Sequence, residues 1–167
     1  KQTVILYEIV KKLTDLKGKE IVYDLYSGLG TISQFVSDKA YKVIGIESVI
    51  DAVKSAKKSA IDNKINNVEF VAGDIKSTFN KEFIEKYGKA NLIITDPPRD
   101  GMHKKVINEI LKLEVPKILY ISCNPSTQFR DLEVLNNKYE IVVVQPIDMF
   151  PHTNHVENIV LLKLRDQ

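Results

Sequence analysis

Cys123 is the only cysteine in the 167-residue chain, and it stands where the run Lys117-Ile118-Leu119-Tyr120-Ile121-Ser122 breaks into Asn124-Pro125. The run reads as a buried strand and Asn-Pro as a turn. The thiol therefore falls at the carboxyl end of a strand, where open α/β sheets bind their ligands. A thiolate in such a place is a nucleophile, whereas a lone cysteine elsewhere is a small buried hydrophobe. Another strand end carries groups that a nucleophile could use. Leu92-Ile93-Ile94-Thr95 runs into Asp96-Pro97-Pro98-Arg99-Asp100-Gly101. Two prolines fix the backbone and remove donors, stiffening a loop that holds a carboxylate and a guanidinium. A rigid turn would account for the prolines but not for Asp96 and Arg99 beside them.

Three further strand ends point to binding. Ile21 to Tyr26 is a strand that enters Ser27-Gly28-Leu29-Gly30, and Gly28 and Gly30 let a backbone turn sharply and approach a ligand. Glu47 ends the second strand, where an acidic group holds ribose hydroxyls through charge-assisted hydrogen bonds. Asp74 closes the third, placed to accept an adenine amino proton. Each has an ordinary reading as a tight-turn glycine or a solvated strand end; together, on consecutive strands, they point to a nucleoside-containing cofactor. A dinucleotide fingerprint wants a third glycine where Ser33 stands. With no pyrophosphate cradle, S-adenosylmethionine fits better than NAD.

The elements that must position these groups alternate. Helical spacing runs from Thr3 to Leu16, Thr31 to Ser37, Val49 to Asn63, Phe79 to Tyr87, Lys104 to Leu113 and Ser126 to Asn136, the last with Ser-Thr as cap. Strands fall at Ile21–Tyr26, Lys42–Glu47, Val68–Ala72, Leu92–Asp96 and Lys117–Ser122, then at Tyr139–Ile147 and Asn158–Leu164. The connection between the last two is too short for a crossover helix, so they are antiparallel neighbours. The expected fold is α/β, a mostly parallel seven-stranded sheet with helices on both faces and a terminal antiparallel hairpin, which is the Rossmann-like layout of class I methyltransferases. Residues 1–167 make one domain of ordinary soluble composition, 44% hydrophobic and 28% charged. The net charge of +2 neither demands nor excludes a nucleic-acid partner. There is no run of the length of a membrane span and no signal-peptide pattern. A single cysteine makes no intrachain disulfide, and the chain reads as cytoplasmic. Lys1 in place of Met points to a piece of a longer protein.

Amino-group methyltransferases carry an aromatic residue after Asp/Asn-Pro-Pro; Arg99 in that place argues against nitrogen methylation. The chain resembles instead the S-adenosylmethionine-dependent RNA 5-methyluridine methyltransferases. The resemblance rests on Asp24-Leu25-Tyr26-Ser27-Gly28-Leu29-Gly30-Thr31, Asp96-Pro97-Pro98-Arg99-Asp100-Gly101, Ile121-Ser122-Cys123-Asn124-Pro125 and His152-Thr153-Asn154-His155-Val156-Glu157. These stand in family order, and the last three together are specific. The resemblance implies Cys123 as the nucleophile that adds to carbon 6 of uracil, and Glu157 as the general base that removes the carbon-5 proton. Without it, Glu157 reads as an exposed residue at a strand start. It implies that Tyr26, Gly28, Gly30, Thr31, Glu47, Asp74 and Asp96 contact the cofactor, and that Asp96 and Arg99 help position or activate the uracil. His152 and His155 resemble a metal pair only superficially; without a third ligand they belong to a substrate-facing loop, and no metal is expected.

The implied partner is structured RNA with the target base flipped out. Ribosomal RNA is favoured over transfer RNA by the Gly-Leu-Gly-Thr and His-Val-Glu segments. Composition leaves the oligomeric state open. The family's RNA-binding and central regions, some with an iron-sulfur cluster, and a cofactor-gripping glutamine would lie upstream. An RNA 5-methylcytidine methyltransferase is the nearest alternative, but it usually has a second cysteine where Arg99 stands. A non-catalytic RNA-binding module that keeps the fold would not need both Cys123 and Glu157.

Overall fold

The structure, a computed structural model, describes residues 2–149 and 156–166. The chain alternates through α1 (Gln2–Thr14), β1 (Ile21–Leu25), α2 (Thr31–Val36), β2 (Lys42–Glu47), α3 (Ile50–Asp62), β3 (Val68–Ala72), α4 (Ile75–Thr78), α5 (Lys81–Tyr87), β4 (Leu92–Thr95), α6 (Lys104–Leu113), β5 (Lys117–Ser122) and α7 (Pro125–Leu135). It closes with β6 (Tyr139–Ile147) and β7 (Glu157–Leu164). The strands form one seven-stranded sheet in the order β3-β2-β1-β4-β5-β7-β6. The first five are parallel, and β7 runs antiparallel between β5 and β6. This is the sheet the sequence implies.

The central strands read as unbroken apolar runs because both of their faces are covered. Successive side chains alternate between the two faces. Tyr23, Ile93 and Tyr120 pack on one side with Phe79, Phe83, Ile107, Ile110 and Leu135 from α4 to α7. Val22, Ile94 and Leu119 pack on the other with Leu6 and Val10 of α1 and Val36 of α2. Phe70 of β3 closes against Val53, Ala56 and Ala60 of α3.

Several element ends shift by a residue or two, and three differences have an identifiable reason. The last helix starts at Pro125 rather than Ser126, and its cap is Asn124, whose side chain accepts from Ser126 N at 3.1 Å. Proline suits the first helical position, because its φ is preset and its missing N–H is not needed there. The short helix α4 is new: four residues are too few to show a period, and Asp74 caps it. The first helix stops at Thr14, because Asp15 takes a left-handed φ of 47°.

Candidate functional site

Parallel strands β1 to β5 end on one edge of the sheet, and antiparallel β7 begins there. Thr95 of β4 pairs with Tyr120 of β5, and Ser122 of β5 pairs with Asn158 of β7. Asp96 follows the first pair. Cys123 and Glu157 flank the second, one residue beyond Ser122 and one before Asn158, so continuing the register sets them opposite each other. Three neighbouring strands thus bring Asp96, Cys123 and Glu157 to one edge. The thiol is half-buried. The Asp96 carboxyl is pushed up to about 7, first by desolvation and then by the negative charge of Glu157. Asp96 keeps an exposed surface while protein crowds its other sides; water on the open side tempers the desolvation. Its response to Glu157 shows that the ends of β4 and β7 share one field.

Toward β3 the same edge carries the glycine loop. Glu47 is locked by donors: Gly28 N reaches Oε2 at 2.9 Å, while Val49 N and Ser48 Oγ reach Oε1 at 2.8 and 3.0 Å. Gly30 is required by packing as well as by its φ of 73°, since an added Cβ would lie 2.3 Å from the Phe70 ring. At Gly28 the same atom would meet nothing within 4 Å, which leaves that backbone open to a ligand. Ser33, in place of a third glycine, donates its hydroxyl to the buried Asp24 carboxylate at 2.5 Å. Burial drives Asp24 up to about 7, against the lowering effect of Ser33; the charges of Asp96 and Glu47 add to the rise. Thr31 opens α2, and its hydroxyl oxygen accepts from Tyr7 at 2.9 Å.

Tyr26 holds a left-handed φ of 63°. It lines a cleft of about 300 Å³ with Ser48, Asp74, Ile75, Pro98 and His103. Asp74 sits at the mouth with its carboxylate occupied. It accepts from Lys76 N at 3.1 Å and pairs with Lys76 Nζ at 3.2 Å, which holds its pKa below the usual value. Cys123, Glu157, Asp96 and Arg99 do not line this cleft; Asp96 and Arg99 follow β4, Cys123 follows β5 and Glu157 opens β7. His152 and His155 fall outside the described residues, and the described ones include no His/Cys/Asp/Glu group able to hold a metal.

Sequence reasoning missed the role of α7. Its first turns grip the loop after β4. Asn124 Nδ2 and Thr127 Oγ1 donate to Arg99 O at 3.0 and 2.9 Å, and Arg130 Nη2 donates to Asp100 O at 2.8 Å. Asp131, only 1% exposed, accepts from Met102 N and Tyr120 OH at 2.7 Å each, and from Arg130 Nε and Nη2 at 3.0 and 2.8 Å. Gly101 is the only residue type that fits beneath this cluster: a Cβ there would come within 2.6 Å of both Arg130 and Asp131. The signal was available in part. Gln128 and Asp131 occupy the positions on α7 that, with Leu132 and Leu135, face inward. Polar residues at core positions need partners.

A glycine loop after β1, acidic ends on β2 and β3, and a parallel sheet closed by a reversed hairpin define a class I methyltransferase domain. A family model described as tRNA (uracil-5-)-methyltransferase matches residues 5–165, and the chain belongs to that family. It is 54% identical over 164 residues to an uncharacterized RNA methyltransferase of Bacteroides thetaiotaomicron, covering 98% of this chain and 36% of that one. A Porphyromonas gingivalis protein of the same description is 49% identical, covering 97% and 35%. The chain thus spans about a third of the length of these curated relatives. The Pyrococcus abyssi tRNA (uracil-54, C5)-methyltransferase, solved in complex with S-adenosyl-L-homocysteine, superposes with a TM-score of 0.83 at 32% identity, covering 96% of this chain and 38% of that one.

Proposed function

We propose that residues 1–167 are the catalytic domain of a cytoplasmic, S-adenosylmethionine-dependent RNA methyltransferase that acts on carbon 5 of uridine. The observation that carries this reading is the convergence of Cys123, Asp96 and Glu157 on one edge of three adjacent strands, in a chain of this family. The cofactor, when bound, supplies an electrophilic sulfonium methyl. The residues present fit it: Gly28 leaves open backbone, and three donors hold the Glu47 carboxylate in one position at the end of β2. Tyr26, Asp74 and Ser48 wall a cleft of about 300 Å³. Gly30 and Thr31 shape the turn after β1, and Asp96 follows β4 on the same edge of the sheet.

Carbon 5 of uracil is a weak nucleophile until a thiolate adds to carbon 6. Cys123 forms the Sγ–C6 bond, and the displaced electron pair makes carbon 5 part of an enolate, which would take the methyl group as its bond to the sulfonium sulfur breaks and leaves a neutral thioether. Glu157 then removes the carbon-5 proton, the C5–C6 double bond re-forms, and the C6–S bond breaks to return the thiolate. In this reading Arg99 and Asp96, from the loop after β4, hold the ring's polar edge during addition. Desolvation and the charge of Glu157 raise the Asp96 pKa, which favours its protonated, donating form relative to an ordinary carboxyl.

Ribosomal RNA is the first substrate to test, on the sequence segments named above. Transfer RNA is the second, favoured by the family description and by the Pyrococcus relative. Full-length protein incubated with 5-fluorouridine-substituted ribosomal or transfer RNA and S-adenosylmethionine should form a covalent protein–RNA adduct. The fluorine cannot leave as a proton, so the adduct is trapped. Cys123→Ala should abolish it; an adduct that persists in that variant would overturn the nucleophile assignment.

A further inference from the structure

Glu157, the first residue of β7, pairs with Ile147 on β6, but the ladder to β5 stops at Asn158, so its place relative to β5 depends on what anchors that next residue. That residue, Asn158, pairs with Ser122 on β5 and with Pro146 on β6. Pro146 has no N–H to give the ladder. A side chain from α7 supplies an anchor. Gln128 Nε2 donates to Asn158 O at 3.2 Å and to Tyr120 O at 3.0 Å, while Asn158 Nδ2 donates back to Gln128 Oε1 at 2.7 Å. All of the amide's hydrogen-bonding groups are engaged in one orientation, because the two carbonyls require its NH₂ and the Asn158 NH₂ requires its oxygen. Gln128 is 1% exposed. A buried amide that is fully satisfied holds its partners in one arrangement, and half-satisfying it is costly.

The same helix begins directly after the nucleophile. Asn124, next to Cys123, caps it and also grips Arg99 O. One rigid element therefore joins the residue beside the thiol, the loop that carries Asp96 and Arg99, and the strand that carries Glu157. We infer that Gln128 and Asn158 form a positioning pair that locks Glu157 onto the frame of Cys123, so that the base reaches the carbon-5 proton once the thiolate has added. The inference rests on the carbon-5 reading above. Neither side chain touches the reacting ring; both act through Glu157.

The geometry separates two steps that a general loss of structure would not. Thiolate addition and methyl transfer need Cys123 and the cofactor side, while release of product needs Glu157. In the full-length protein, Gln128→Leu keeps the volume and removes the amide. Adduct formation on 5-fluorouridine RNA should stay within about threefold of the unsubstituted enzyme, while turnover on uridine RNA falls by about tenfold or more, as a displaced catalytic group requires. A methylated covalent complex should then accumulate on ordinary uridine RNA, where the unsubstituted enzyme shows none. Asn158→Ala removes the other half and should show the same split, which keeps the test open if Gln128→Leu does not fold. The double variant should be no slower than the worse single one. Equal loss of adduct formation and turnover would overturn the inference, and so would no loss of either. Failure of the unsubstituted enzyme to trap 5-fluorouridine RNA would instead remove the carbon-5 reading itself, and the inference with it.

Discussion

The two halves of the candidate site are built by different means. At the ends of β1, β2 and β3, the functional groups are satisfied close to home in sequence or by a neighbouring strand. Glu47 is held by Gly28, Ser48 and Val49, and Asp74 caps the helix that follows it. At the ends of β4, β5 and β7, the groups are held from a distance, through α7. There Arg99 O, Asp100 O and Met102 N are bound by side chains more than a helix away in sequence, and Asn158 is bound by Gln128. One half is preorganised for a fixed ligand by local hydrogen bonds. The other keeps a carboxyl near neutrality and borrows its rigidity from tertiary packing, which suits steps in which protons and covalent bonds move. Asp24 lies beneath both, since the charges of Asp96 and of Glu47 each raise its pKa.

The comparison is broken most severely at Glu157. Glu157→Gln should lower turnover by about 10²–10⁴-fold, the usual worth of a general base, while trapping on 5-fluorouridine RNA persists. The same change removes the second cause of the raised Asp96 pKa. Carboxyl NMR should then show the Asp96 midpoint falling from about 7 toward, but not reaching, its ordinary 3.8, because desolvation is the larger cause. An unmoved midpoint would show that the two strand ends do not share a field.

The cofactor half is sharpened by Glu47→Gln. Loss of a charged acceptor costs about 1.5–3 kcal/mol of hydrogen bonding. Calorimetry should therefore show S-adenosylmethionine bound about 10- to 100-fold more weakly, with the rate at saturating cofactor changed far less. A large fall in that rate instead would move Glu47 from holding the cofactor to the chemistry.

The smallest effect is on stability. Asp24 titrates near 7 in the folded chain against 3.8 when unfolded. Between those values the folded state keeps a proton that the unfolded state has lost, so stability is full below about 4 and declines as pH rises toward about 7. Asp96, raised to about 7 as well, adds to the decline over the same window, so Asp24→Asn should make the slope shallower without abolishing it and leave the variant at least as stable as the parent at pH 8, as read from denaturant midpoints. An unchanged slope would assign the pH dependence away from Asp24.

The catalytic candidates were legible because their chemistry lies in short motifs at strand ends: Gly28-Leu29-Gly30, Asp96-Pro97-Pro98-Arg99, and Cys123 before Asn-Pro. The apolar runs of β1, β2, β4 and β5 were equally plain, since strands buried on both faces show little else. Gln128 and Asp131 were legible only in part: they share a face with Leu132 and Leu135, but a polar residue on a helix looks solvated until that face is known to be buried. Asp74 was read for its ligand alone, although its carboxylate is already engaged in capping α4 and in a pair with Lys76.

Taken alone, the order of residues determined that strands and helices alternate and which side chains stand at the strand ends, because hydrophobic period and turn chemistry are local properties. Only the tertiary structure decided that β7 inserts beside β5, pairing Asn158 with Ser122, and that α7 reaches across to both strands. Strand order and buried polar pairing depend on which distant surfaces exclude water together, and no short stretch of sequence carries that information.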